Sequence, residues 1–245
     1  MQHNLLFVPI VETQDAIDLM NTLRREKDFC DVVDIDPYGT AIPFLEGSIS
    51  SVKNNGLLCV TFTDMAVLCA RKPHVCFYKM GSAPLGKAYC HEMALRMVLY
   101  TINTMANKHG KMVEPLLSLT VDFYIRLFIR VKVSLSSCHT SISKYSNVYQ
   151  CTFCESFWLQ RLGFHQTEKI GINEKRVKKF GSKKLKGKPA TEEESKDEVV
   201  EEVKTEQPLR EKIVNAKVEV PSNCKTCGRD LMLGGPIWND KIHSI

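Results

Sequence analysis

The sequence predicts an α/β fold built on a doubly wound sheet, and three observations carry that reading. Two short, nearly continuous apolar runs, residues 29–35 and 57–62, have the composition of strands buried on both faces of a parallel sheet. Helical patterns alternate with them, and strand, loop, helix in succession is the rhythm of a doubly wound architecture. The 245 residues, 44% hydrophobic and 25% charged, are ordinary for a globular protein and suffice for one large domain or two smaller ones.

The elements follow in order. Residues 14–25 (QDAIDLMNTLRR) place Ile17, Met20 and Leu23 at helical spacing, which argues a short amphipathic helix. Residues 29–35 (FCDVVDI) form the first strand, whose Asp31 and Asp34 need partners or exposed positions. Asp36-Pro37-Tyr38-Gly39 breaks it. A helix is expected over 44–52, stopped by Asn54-Asn55-Gly56, and a buried strand over 57–62 (LLCVTF). A long amphipathic helix spans 87–108 and carries Met93, Leu95, Met97, Val98, Leu99 and Ile102. Two β-rich stretches follow, 115–121 and 123–133.

Composition divides the chain into residues 1–135, the α/β unit; 136–165 with 221–245, which carry paired cysteines; and 166–220, a charged insert. The insert is basic from Lys175 to Lys188 and mostly acidic from Glu192 to Glu206. Residues 169–215 are expected to be disordered, because such charge blocks bury too little apolar surface to offset the entropy of ordering. The basic half reads either as a solvated linker or as a nuclear-localisation stretch over 175–188. No run of eighteen apolar residues exists, so no membrane helix is expected. The first twenty residues lack a basic region and a small-residue cleavage site, so the chain is expected to stay in the nucleus or cytoplasm rather than be secreted. There its ten cysteines are thiols or metal ligands. The net charge of +5 leans weakly toward an anionic partner.

Asp36, Pro37 and Tyr38 are the candidate catalytic residues. Ligands of open parallel sheets bind beyond the carboxyl ends of the strands, where this turn is expected. An exocyclic base amine is a poor nucleophile, since its lone pair is delocalised into the ring. A carboxylate at Asp36 can hold its N–H groups and stabilise the charge that develops as the nitrogen becomes tetrahedral. The Pro37 carbonyl offers a second acceptor, and Tyr38 a face on which a purine can stack. The same tetrapeptide also reads as a plain turn.

The second constellation is Cys151-x-x-Cys154 with Cys224-x-x-Cys227, the ligand spacing of a tetrahedral Zn2+ site. The first pair follows an expected strand over 147–150. The long separation between the pairs is no obstacle, because loop-closure entropy grows slowly with length. Four protein ligands leave no open position, so the site is structural; redox cysteines and unliganded thiols are the alternatives.

Four ordered blocks carry a resemblance: DVVDIDPYGTAIPFLEGSISSVKNNGLLCVTFTDMAVL, CFYKMGSAPLGKAYCHEMALRMVL, EPLLSLTVDFYIRLFIRV and GGPIWNDKIHSI. Together they resemble the tRNA (guanine-26-N2) dimethyltransferase family, from Asp15 to Ile245 apart from the insert. The resemblance implies a Rossmann-like class I methyltransferase sheet followed by a smaller zinc-containing region. It implies methyl transfer from S-adenosylmethionine to the N2 amine of guanine 26 in tRNA, performed twice. Asp36, Pro37 and Tyr38 match the family's acceptor-amine motif. Asp15 and Ala16 match a pair lining the cofactor's adenine, beside which an N-cap role for Asp15 stays open. Family members carry the first strand, its glycine loop and a ribose-binding acid before this match. Only fourteen residues, none of them glycine, precede Asp15 here. The sheet is therefore expected to be incomplete at its N-terminal side, and the chain by itself to bind S-adenosylmethionine poorly. A catalytically inactive RNA-binding remnant is the competing function.

Overall fold

The computed structural model describes residues 11, 13–169 and 209–244. In chain order its elements begin with α1 (Ala16–Glu26), β1 (Cys30–Ile35), α2 (Ile42–Ser51) and β2 (Val52–Phe62). Then come two short helices, α3 (Met65–Leu68) and α4 (Pro73–Met80), and the long α5 (Cys90–Lys108). The strands β3 (Lys111–Val121) and β4 (Tyr124–Val133) follow, then α6 (Leu135–His139) and a 3-10 turn (Ser141–Lys144). The chain continues through β5 (Tyr145–Cys151), β6 (Phe157–Arg161), β7 (Gly163–Lys169), β8 (Leu209–Asn215) and β9 (Leu231–Trp238).

Four strands make a mixed sheet in the order β1-β2-β4-β3. Only β1 and β2 are parallel, joined through α2, whereas β3 and β4 form an antiparallel hairpin. The two β-rich stretches expected over 115–121 and 123–133 are these last two strands, and their antiparallel pairing has a steric reason. Asp122 and Phe123 alone connect them, with Asp122 at φ 42°, and a parallel partner needs a crossover of about a dozen residues. Burial of the first strand on both faces is also corrected. β1 is an edge of this sheet, with Asp31, Val32 and Asp34 exposed. Its two aspartates have partners, Lys53 Nζ at 2.8 Å from Asp31 and Arg126 at 2.7 Å from Asp34. Asn54-Asn55-Gly56 does not cap α2 either. The helix closes at Ser51, and those residues form an irregular stretch of β2, which steps from Cys30↔Val52 to Val32↔Leu57 with Asn55 in the left-handed region.

α5 buries Met93, Leu95, Met97, Val98, Leu99 and Ile102 in one core with Leu58, Val60, Ile125, Leu127 and Ile129 of this sheet. That helical face is the one its spacing predicts. A second sheet, β6-β5-β9, also packs on α5 through β9, and its Tyr145, Val148, Ile237 and Trp238 share the same core. Polar bonds fix this docking. Arg96 donates to the carbonyls of Trp238 and Asp240, Ser82 to that of Pro236, and the buried Asn103 to the Tyr145 hydroxyl at 2.6 Å. Ala83 and Gly235 exchange both backbone hydrogen bonds. Residues 13–164 and 215–244 belong to one compact unit. Residues 165–169 and 209–214 belong to a separate small one, in which β7 pairs with β8. The flanks of the expected insert are thus strands, and its disorder over the remainder, like the basic stretch 175–188, lies outside the described residues.

Gly234 marks where the docking is tightest. A Cβ there would stand 2.6 Å from Leu85 Cγ and 3.1 Å from Met93 Cε. Leu85 and Met93 are both buried and have little room to yield. Gly234→Ala is expected to destabilise the fold by about 1–3 kcal/mol, the usual cost of overpacking, as read from urea unfolding midpoints. An unchanged midpoint would show that β9 docks more loosely than these distances imply.

Candidate active site and metal centre

The turn Asp36-Pro37-Tyr38-Gly39 leaves the carboxyl end of β1, where the sequence places it. Because β1 and β2 are parallel neighbours, the residues just beyond each strand meet. The Gly39 N–H donates to Thr63 Oγ1 at 2.7 Å, and the Thr63 N–H returns a bond to the Gly39 carbonyl at 2.8 Å. Gly39 sits at φ 83°, a left-handed conformation that a side chain would strain. The turn is therefore held by backbone and by Thr63, leaving the Asp36 and Tyr38 side chains out in solvent; the Tyr38 ring is fully exposed.

Asp36 lines an open cavity of about 480 Å³ with Thr61, Thr63, Tyr124 and Arg126. Arg126 donates to both carboxylate oxygens of Asp34, at 2.7 and 3.0 Å, and to Thr61 Oγ1 at 2.6 Å. Burial works against its charge, and the Asp34 pair outweighs that penalty, holding the guanidinium firmly protonated. Two buried oxygens near the turn have no hydrogen-bond partner, Thr40 Oγ1 and Asp64 Oδ1. Thr40 follows Gly39 and Asp64 follows Thr63, so the bonded pair brings these orphaned acceptors to the same strand ends. Buried polar atoms are ordinarily satisfied, so these two set the strand ends apart.

Thr61, Thr63, Asp64 and Arg126 escaped the sequence reading. For Thr63 and Asp64 a signal existed, since they follow the second apolar run as Asp36 follows the first. For Arg126 there was none, because its place depends on β4 pairing beside β2.

Asp15 and Ala16 stand on a different element, at the start of α1. Asp15 Oδ1 accepts from the N–H groups of Ile17 at 2.8 Å and Asp18 at 3.2 Å, so Asp15 caps the helix.

Cys151, Cys154, Cys224 and Cys227 converge, with all four sulfurs within 4.8 Å of one another. Cys151 and Cys227 are 3.4 Å apart, Cys154 and Cys224 3.6 Å, and Cys154 and Cys227 3.7 Å. A tetrahedral ion with sulfur ligands at about 2.3 Å separates them by about 3.8 Å, so this cage has the right size for Zn2+. Each pair sits on a tight knuckle. The N–H groups of Phe153 and Cys154 point at Cys151 Sγ, and the second knuckle closes through Gly228, at φ 73°, donating to the Cys224 carbonyl. Thr152 clasps the two knuckles together through two bonds to the Asp230 carbonyl.

The electrostatics divide the sulfurs: two thiols are lowered and one is raised. Burial raises the Cys224 thiol, but the backbone N–H groups of Cys227 and Thr226 outweigh it and bring it down to about 6. Hydrogen bonds from Ser156 lower Cys154. The Arg229 N–H lowers Cys227, yet burial and three neighbouring sulfurs prevail and push it up to about 12. Four sulfurs this close cannot all ionise without a positive centre.

Among the described residues no helix is long and apolar enough to cross a membrane. The family model for N2,N2-dimethylguanosine tRNA methyltransferase matches residues 4–245. The chain is 41% identical over 230 residues to the tRNA (guanine(26)-N(2))-dimethyltransferase of Drosophila melanogaster, covering 94% of this chain and 34% of the fly protein. It is 39% identical over 232 residues to the mitochondrial enzyme of that name from Saccharomyces cerevisiae, covering 94% of this chain and 35% of the yeast protein. It thus spans about a third of the length of these relatives. Among solved structures it resembles Trm1 from Pyrococcus horikoshii in complex with S-adenosyl-L-methionine, with a TM-score of 0.59 and 29% identity. That match covers 62% of this chain and 40% of the other.

Proposed function

Since the chain belongs to the N2,N2-dimethylguanosine tRNA methyltransferase family, we propose that it carries the acceptor half of a site that transfers methyl groups to the N2 amine of guanine 26 in tRNA. The cofactor is S-adenosyl-L-methionine, which supplies an electrophilic methyl group on a sulfonium. The observation that carries the proposal is the turn at the end of β1, where an exposed carboxylate, a proline carbonyl and an exposed aromatic ring stand together and the carboxylate lines an open cavity.

Asp36 accepts an N–H of the amine and draws the nitrogen lone pair out of the ring's conjugation. When the amine is methylated it must lose a proton, which Asp36 or water would take. Pro37 lends its carbonyl to the second N–H. In Asp15 the cap uses Oδ1, which leaves Oδ2 to receive the adenine amine of the cofactor beside Ala16.

The architecture fits the second part of a Rossmann-like class I methyltransferase sheet, with the cysteine region held as a smaller module by a structural Zn2+. Zn2+ would cross-link the two knuckles through Cys151, Cys154, Cys224 and Cys227. The basic stretch 175–188 would serve tRNA contact or nuclear entry.

The test joins this chain to the upstream segment of a full-length relative and measures labelled methyl transfer to tRNA lacking the modification. Transfer confined to guanine 26 is expected. Cofactor binding without transfer would leave the RNA-binding remnant as the function. In the same protein Tyr38→Ala is expected to weaken productive tRNA binding by about 1–3 kcal/mol, the worth of one base stacked on an aromatic ring. It should appear chiefly in KM, while Tyr38→Phe keeps the wild-type value. Equal KM for the alanine variant would remove Tyr38 from the stack.

A further inference from the structure

We propose that Cys69, Cys90 and His91 form a second Zn2+ site, separate from the four-cysteine centre, with three protein ligands and an open coordination position. One ligand atom from each lies within 4.8 Å of the other two. The cluster is built by packing rather than by a local motif. Cys69 ends α3, its N–H bonded to the Met65 carbonyl at 2.7 Å, and Ala70 at φ 69° turns the chain sharply away after it. A left-handed alanine is uncommon, and here it sets Cys69 at the end of α3, which packs on α5. Cys90 and His91 are the first two residues of α5, a nineteen-residue helix whose N-cap Tyr89 makes no side-chain cap bond.

Two sulfurs and one imidazole are the borderline-soft donors Zn2+ takes, at about 2.0–2.3 Å. Bringing the three atoms onto one ion needs only small side-chain rotations. Those are available, because Cys69 and Cys90 are half-buried and His91 is exposed. Three ligands and an exposed imidazole make an exchangeable site, whereas Cys151 and Cys224 of the other centre are buried. Occupancy would tie α3 to α5. Since α3 begins just after Thr63 and Asp64, the ion would steady the strand end on which the Asp36 turn is pinned.

The experiment measures zinc per chain by elemental analysis in reduced protein equilibrated with zinc and freed of excess by gel filtration. About two ions per chain are expected. Cys69→Ser and His91→Ala should each lower this to about one, as should Cys224→Ser by emptying the other centre. His91 is exposed, so its variant should keep the wild-type fold, checked by circular dichroism and by the melting temperature in chelator. As a second readout, zinc should shield Cys69 and Cys90 from alkylation in peptides resolved by mass spectrometry, and should fail to do so in His91→Ala. One ion per chain, lost in Cys224→Ser and kept in Cys69→Ser and His91→Ala, overturns the proposal. So does a Cys69–Cys90 disulfide that forms without metal and leaves zinc content unchanged in the His91 variant. One ion lost in His91→Ala and kept in Cys224→Ser would instead uphold this site and refute the four-cysteine one.

Discussion

Asp36→Ala, in this chain joined to the upstream segment of a full-length relative, is expected to slow methyl transfer to guanine by about a hundredfold or more. That corresponds to at least about 2.7 kcal/mol of transition-state stabilisation, the scale of losing one positioned catalytic group. The variant should fold, because the carboxylate does not hold its own turn. Gly39 and Thr63 hold it through two hydrogen bonds, and Arg126 is engaged by Asp34 and Thr61. The loss should therefore fall on kcat in single-turnover measurements, with S-adenosyl-L-methionine affinity unchanged. Asp36→Asn sharpens the test: the amide keeps the size of the side chain and one acceptor oxygen but cannot take a proton. If the asparagine variant recovers most of the rate, Asp36 acts by orientation alone. If the alanine variant is nearly as fast as wild type, the acceptor-amine role is wrong.

How far the sequence reveals this site depends on how local each feature is. The Asp36 turn is legible because a buried-type strand, a proline and a glycine stand together within eleven residues. The cysteine knuckles are legible for the same reason, since two residues between thiols is a geometric statement in itself. What surrounds the turn is not local. Thr63 is 24 positions from Gly39, and Arg126 is 92 from Asp34. Only the order β1-β2-β4 brings them together. The same limit explains the error over β1. The run FCDVVDI has the apolar content of a central strand, but whether a neighbour covers it is decided by other segments. The hairpin of β3 and β4 could have been read from the two-residue connection, which admits no crossover. The short α3 and α4, with too few residues to show a period, give no signal.

Cys224→Ser is expected to abolish metal binding at the four-cysteine centre and to unravel the second knuckle. Tetrahedral coordination is cooperative, since three remaining thiolates must hold the ion with water in the fourth place while their mutual repulsion persists. Cys224 is the most consequential of the four. It is buried, its thiol is held near 6 by backbone N–H groups of Thr226 and Cys227, and its N–H and carbonyl both close the knuckle. The wild-type centre should hold about one zinc, released on acidification as protons compete for the thiolates. The mechanical consequence should reach beyond the metal. β9 follows this knuckle directly and carries Ile237 and Trp238 into the core against α5. Hydrogen exchange should then rise first over 221–231 and next along β9, while the β1-β2-β4-β3 sheet keeps its protection. Zinc content and protection both unchanged in Cys224→Ser would mean that the four sulfurs pack as thiols. In that case the Thr152–Asp230 clasp, rather than an ion, would join the knuckles.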